Sequence, residues 1–225
     1  MNENHGTGPG PRTRDGCSVE LYRRLPALGE VERFAHLVPP THGILELGCG
    51  AGRLTRELMA RGHPVVSVDN SEEMLALLPP GARKVLADIE ELDLGQAFDA
   101  VLLASCLINT ADARLRSRLL ATCHRHLEPG GLLVFERHDP AWLDEAQPGP
   151  AGSAGVDFFI DHVARRTDSV EMTLRYRHGS AEWTHSFVAA RLLDEDVEDL
   201  LAAEGFGPPT WLDPKRRWGA AAARD

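Results

Sequence analysis

The sequence predicts a doubly wound α/β fold built on a mostly parallel sheet. Three observations carry that prediction. Short apolar runs at Ile44–Leu47, Val65–Val68, Lys84–Ala87, Phe98–Ala104 and Leu132–Glu136 suit strands buried on both faces, and helical patterns separate most of them. The first run stops at Gly48, Gly50 and Gly52, and Leu54 and Leu58 then share a helix face, so a tight glycine turn joins strand to helix. The second run ends in Asp69, an acid at a strand tip where ribose hydroxyls are bound in such units.

A chain of 225 residues fits one domain whose core needs no staples. A net charge of −10 disfavours nucleic acid as a partner. Four cysteines, Cys17, Cys49, Cys106 and Cys123, show neither C-x-x-C spacing nor a metal pattern and read as reduced thiols of a cytoplasmic protein. No apolar run reaches the ~18 residues of a membrane span, and no signal-peptide apolar region is seen. Residues 1–17 are rich in Gly, Pro, Asn and Thr and predict a flexible tail ahead of a single domain over 18–225. Helical periodicity runs from Ser18 to Leu37, interrupted by Pro26 and ended by Pro39-Pro40.

The glycine spacing narrows the ligand. A dinucleotide fingerprint needs a third glycine at position 53, which is Arg53 here, while Gly52 comes one residue early. Glu46 sets an acid just before the turn, which repels a pyrophosphate and suits a cationic ligand. Glu46-Leu47-Gly48-Cys49-Gly50-Ala51-Gly52 with Asp69 resembles motif I and the following acidic position of class I S-adenosylmethionine-dependent methyltransferases. An NAD-type Rossmann domain is the alternative. The resemblance is specific from about Gly43 to Glu136. It implies a Rossmann-like seven-stranded sheet, with S-adenosylmethionine as cofactor at Glu46, Gly48, Cys49, Gly50, Gly52, Asp69 and Asn70. It also implies that the N-terminal helices cover the cofactor cleft, where Tyr22 either touches a ligand or simply packs.

Ser71 caps a helix with an acidic first turn, and Met74, Leu75 and Leu78 form its apolar face. In the family the position of Met74 packs against adenine; the other reading is a core methionine. Asp88 and Ile89 at the end of the third strand resemble the adenine site, with Asp88 accepting from the exocyclic amine, unless Asp88 only caps the next turn. After the fourth strand, Ser105 to Asn109 match the segment whose backbone carbonyls hold the methionine ammonium. No Asn/Asp-Pro-Pro-Tyr signature is present, and Cys106 reads as a pocket wall rather than a nucleophile.

Leu115, Leu119, Cys123 and Leu127 follow at helical spacing, and Pro129-Gly130-Gly131 leads into the fifth strand. That strand ends at Glu136-Arg137-His138-Asp139. Ligands of open α/β sheets bind at the C-terminal strand ends, so His138 is the candidate base and Asp139 a group that could orient it; an exposed turn is the alternative. Residues 147–192 form a β-lid insertion: a Gly/Pro/Ala linker from Gln147 to Gly155, then strands over Val156–Ala164, Val170–Tyr176 and Trp183–Leu192. Tyr176, His185 and Phe187 are candidates for a pocket wall, with packing inside the lid as the other reading. A last helix with acidic first turn precedes two weak strands, for which the family supplies an antiparallel hairpin anchored by Trp211 and Trp218. The expected activity is methyl transfer to an N, O or C atom of a small molecule or peptide end. A cofactor-retaining cyclase or isomerase, or a non-catalytic S-adenosylmethionine-binding protein, are the alternatives.

Overall fold

The computed structural model describes residues 4–153 and 155–224. In chain order the elements are β1 (His5–Thr7), α1 (Val19–Tyr22), α2 (Glu30–Phe34), β2 (Ile44–Leu47), α3 (Arg53–Ala60), β3 (Val65–Asp69), α4 (Glu72–Ala76), β4 (Arg83–Leu86) and β5 (Phe98–Leu103). They continue with α5 (Ala113–Arg125), β6 (Leu127–Glu136), α6 (Pro140–Glu145), β7 (Gly149–Ser153), β8 (Asp157–Arg165), β9 (Ser169–His178), β10 (Ala181–Ala190), α7 (Asp194–Ala203), β11 (Thr210–Trp211) and β12 (Trp218–Ala222).

The central sheet has seven strands in the order β11-β12-β6-β5-β2-β3-β4. Pairings from β6 to β4 are parallel, and the β11–β12 hairpin adds antiparallel to β6. Successive side chains of a strand point to opposite faces. Ile44 and Val65 therefore meet Phe34 of α2 and Leu54 and Leu58 of α3, while Leu45, Leu47 and Val68 meet Leu120 and Cys123 of α5 and Val197 and Leu201 of α7. Both faces are covered, as continuous apolar strands require. Trp218 is buried and stacks on Phe34, and Trp211 lies edge-on to Phe135, so the two tryptophans anchor the hairpin. The chain leaves β2 toward β3 and β4, then returns to pair β5 on the other side of β2. That reversal opens a crevice beyond the carboxyl ends of β2 and β5.

A second, antiparallel sheet of order β1-β10-β9-β8-β7 forms the lid. Its make-up corrects two expectations. The segment 4–17 is not a free tail: β1 pairs with β10, and Trp183 Nε1 donates to the Pro9 carbonyl at 3.0 Å. Residues 1–3 lie outside the described residues. The Gly/Pro stretch after Gln147 is not a linker, because Gly149–Ser153 is the outer strand β7, where a proline is tolerated at an edge. Two smaller differences concern helices. The periodicity over 18–37 resolves into the short α1 and α2, and α5 stops at Arg125, so Leu127 already belongs to β6.

Asn109 links the two sheets. Its Nδ2 donates to the Ala190 carbonyl at 2.9 Å and its Oδ1 accepts from the His138 amide at 2.8 Å. Thr110 and Ala189 form an adjacent bridge.

Candidate active site

The crevice and the lid border a partly open cavity of about 500 Å³. Of the residues expected at the cofactor, Glu46, Gly48, Cys49, Gly50, Asp69, Asn70, Met74, Ile89 and Ser105 line it, and His138 lines it too. Gly52 and Asp88 do not.

The glycine turn and the tip of β3 are tied together. Asp69 Oδ2 accepts from the Gly50 amide at 2.8 Å, its Oδ1 accepts from the Ser71 amide at 2.9 Å, and the Cys49 amide donates to the Val68 carbonyl at 2.9 Å. Gly50 has φ +52°, and a Cβ there would protrude into the cleft, with Tyr22 Cδ1 its nearest neighbour at 3.6 Å. The turn therefore presents bare backbone to whatever fills the space. Glu46 lies beneath it, fully buried, accepting from the Thr55 hydroxyl and from Ser67 Oγ at 3.4 Å. Burial pushes its carboxyl up to about 7, against the hydroxyl bonds that favour the charged form. Met74 is buried against Cys17, Val19 and Ala51 while still bordering the cavity.

Asp88 is engaged elsewhere. Its Oδ1 accepts from Asn70 Nδ2 at 2.8 Å and pairs with Arg14 at 2.9 Å, so its carboxylate is held by the N-terminal segment and is not on the cavity wall. Its neighbours Ile89 and Glu90 take that place. Ser105 and Cys106 both adopt positive φ, 56° and 57°. The buried Glu136 holds this loop, its Oε2 accepting from the Ser105 amide at 3.0 Å and its Oε1 pairing with Arg217 at 2.6 Å. Burial raises the Cys106 thiol well above its ordinary range, which leaves it an uncharged wall.

The far half of the cavity is aromatic. The His138 ring stacks between Trp142, 5.7 Å between centroids, and Phe187, 5.8 Å, and Phe187 in turn meets His185 at 5.5 Å. Burial, reinforced by the Arg217 charge, depresses His138 to about 4, so the imidazole is neutral throughout the physiological range. Asp139 does not orient it: Oδ1 of Asp139 accepts from the Ala141 amide at 3.0 Å to cap α6, and Oδ2 lies 3.9 Å from Lys215. The N-terminal segment brings Thr13, Asp15 and Cys17 to the cavity, where Cys17 and Tyr22 pack against Ala51 and Met74 near the glycine turn. Cys17 Sγ donates to Tyr22 Oη at 3.2 Å, and the Asp15 carbonyl lies 3.3 Å from His185 Nε2. No sequence pattern marked Thr13 and Asp15: Thr13 bonds to its near neighbours Asp15, Gly16 and Cys17, and the lid partner of Asp15, His185, lies 170 residues along the chain.

Residues 45–135 match the profile of the methyltransferase domain. An uncharacterized methyltransferase of Mycobacterium tuberculosis is 32% identical over 188 residues, covering 80% of this chain and 73% of that protein. The chain belongs to the class I S-adenosylmethionine-dependent methyltransferases. This methyltransferase domain is also 26% identical over 141 residues to a ubiquinone biosynthesis O-methyltransferase of Rickettsia conorii, matching 60% of the chain but only 47% of that relative. Among solved structures, an amino pentose methyltransferase from Micromonospora echinaspora superposes with TM-score 0.67 at 23% identity, covering 92% of each chain. An S-adenosylmethionine-dependent methyltransferase from Clostridium acetobutylicum gives 0.70 at 18% identity over 87% of this chain and 89% of its own. At such identities the methyltransferase shares with these structures its fold.

Proposed function

We propose that this methyltransferase moves the methyl group of S-adenosylmethionine to a small molecule held in the cleft. One observation carries the reading: the bare Gly50 turn, bonded to the strand-tip acid Asp69, borders a cavity that His138, His185 and Phe187 also line. The turn side is read as the cofactor half and the aromatic side as the acceptor half. Asp69 would take ribose hydroxyls, Met74 and Ile89 would flank adenine, and the Ser105 loop with Glu46 would face the methionine end. The bound cofactor supplies a methyl carbon on a sulfonium, already activated toward in-line attack.

The protein's share of the chemistry is then position and exclusion of water. An acceptor fixed in line within ~3 Å gains most of its acceleration from orientation. His138, neutral and on the acceptor wall, is the group able to receive a proton if the acceptor must lose one. Small-molecule acceptors named for relatives, a ubiquinone precursor pathway and an amino pentose, support a small acceptor over a polymer. The test is stoichiometric. Incubation with methyl-labelled cofactor and a panel of small acceptors should give equal amounts of methylated product and S-adenosylhomocysteine. Conversion of an acceptor without S-adenosylhomocysteine would replace this reading with a cofactor-retaining one.

A further inference from the structure

We infer that the acceptor carries a cationic amine and that Asp15 anchors it. This rests on the methyl-transfer reading, and it follows from charge accounting inside the cleft. Besides histidines, the charged side chains on the wall are Asp15, Glu46, Arg53, Asp69 and Glu90. Four are acids. The single guanidinium, Arg53, is matched by an ion pair with Glu30. Asp69 is bound by two backbone amides, Glu46 by two hydroxyls beneath the glycine turn, and Glu90 lies 3.9 Å from Arg118. Asp69 and Glu46 thus have only neutral donors, and the cofactor reading assigns both of them. Asp15 is the acid that reading leaves over: it accepts from the Thr13 hydroxyl, Cys17 Sγ lies 3.6 Å away, and no cation pairs with it among the described residues. These donors hold the carboxylate in place without neutralising it.

The surroundings of Asp15 fit the same ligand. Its charge is felt at Cys17 and Tyr22, whose protons it helps retain, at His185, where it opposes the effect of burial, and at Asp69, whose carboxyl it helps push up, so it acts at both ends of the cavity. These groups line the same cavity as Tyr176 and Phe187. Aromatic faces attract a cation within ~6 Å by their quadrupoles. An anionic acceptor would enter a wall of carboxylates with no unmatched cation, which like-charge repulsion opposes. An amine meets a carboxylate without a cationic partner in a cavity that aromatic side chains also line.

The test uses the full chain, with saturating S-adenosylhomocysteine, and three probes of one shape: benzylamine, benzyl alcohol and benzoate. Ligand-observed NMR at neutral pH should show benzylamine binding at millimolar concentration and roughly tenfold tighter than benzoate. Asp15→Asn should weaken benzylamine roughly tenfold while leaving benzyl alcohol and S-adenosylhomocysteine affinity within about twofold. A role for Asp15 in shape alone would weaken the alcohol equally. The wild-type series needs no variant, so it stands if Asp15→Asn fails to fold. Benzoate binding as tightly as benzylamine, no benzylamine binding, or an unchanged preference in Asp15→Asn would overturn the inference. Failure to bind S-adenosylhomocysteine would instead overturn the methyl-transfer reading, and the same series without it still reads the Asp15 preference.

Discussion

Asp69 and Glu46 both adjoin the glycine turn and answer different measurements. Asp69 keeps both oxygens on backbone amides at the cavity edge, so its carboxylate is fixed before any ligand arrives. A hydrogen bond to a charged group is worth about 1.5–3 kcal/mol, so Asp69→Ala should weaken S-adenosylmethionine binding roughly ten- to a hundredfold by calorimetry. Glu46 bears on pH. Its folded value, about 7, exceeds the unfolded 4.5, so the folded state holds the extra proton between those values and burial of the charge is increasingly unfavourable as pH rises through them. A cationic ligand favours the ionised form, so cofactor affinity should rise with pH up to about 7 and level off above it, and Glu46→Gln should flatten that slope. His138 moves the other way. With a folded value of about 4 against 6.5, its contribution to stability is complete above 6.5 and is lost as pH falls toward 4. If His138 accepts a proton during turnover, His138→Ala should lower kcat roughly 10²–10⁴-fold with cofactor affinity kept. The acid limb of the wild-type rate profile of free enzyme should then lie nearer 4 than 6.5. Retention of most activity in His138→Asn would assign catalysis to orientation alone. That Asp69, Gly50 and His138 share one cavity wall was legible from their positions after strand ends. The engagement of Asp88 by Arg14 was not, since that pair spans 74 residues with no shared pattern.

At the scale of elements, the N-terminal strap is the part that sequence could not show. Its composition lacks apolar periodicity, and what holds it is backbone pairing to β10 and a crossing of Gly6 with Gly16. A Cβ at Gly16, where φ is +86°, would stand 2.4 Å from the His5 carbonyl carbon. Gly16→Val should therefore part the strap from the lid. Hydrogen exchange of residues 4–17 should rise sharply, acceptor binding should fall, and the central strands should stay protected. Unchanged exchange would mean that another contact secures the strap. Strand β7 was hidden for a related reason. Gly-Pro-Ala-Gly-Ser reads as punctuation, and only its place at the edge of an antiparallel sheet makes it a strand. The parallel strands, by contrast, announce themselves because both faces must be apolar.

Across the whole molecule, Arg137 is the main polar tie between layers. It is 1% exposed, donates to the carbonyls of Arg216 and Leu192 at 2.8 and 2.9 Å, pairs with Asp194, and lies 4.3 Å above the Trp211 ring. It thus joins the end of β6 to α7 and to the terminal hairpin. Arg137→Ala strands two carbonyls and should lower stability by about 3 kcal/mol, or roughly 6–12 °C in Tm by calorimetry. A loss below about 1 kcal/mol would show that Arg216 alone suffices for Asp194. The doubly wound architecture could be read from the chain because each βα step is local. The way the cavity is walled could not, because Asn109, Arg137 and the strap act between segments distant in sequence.

The strap also sets an order of assembly. Thr7 meets Thr184 across 177 residues of chain. During synthesis the strap must wait, unpaired, until β10 has emerged, whereas β2 to β5 can already associate with near neighbours. The glycine-turn end of the cleft thus matures early and the side closed by the strap and β10 last. A partly made or refolding chain passes through a stage with a formed nucleotide crevice and no completed lid, and pulse-labelling exchange should catch residues 5–7 among the last to gain protection.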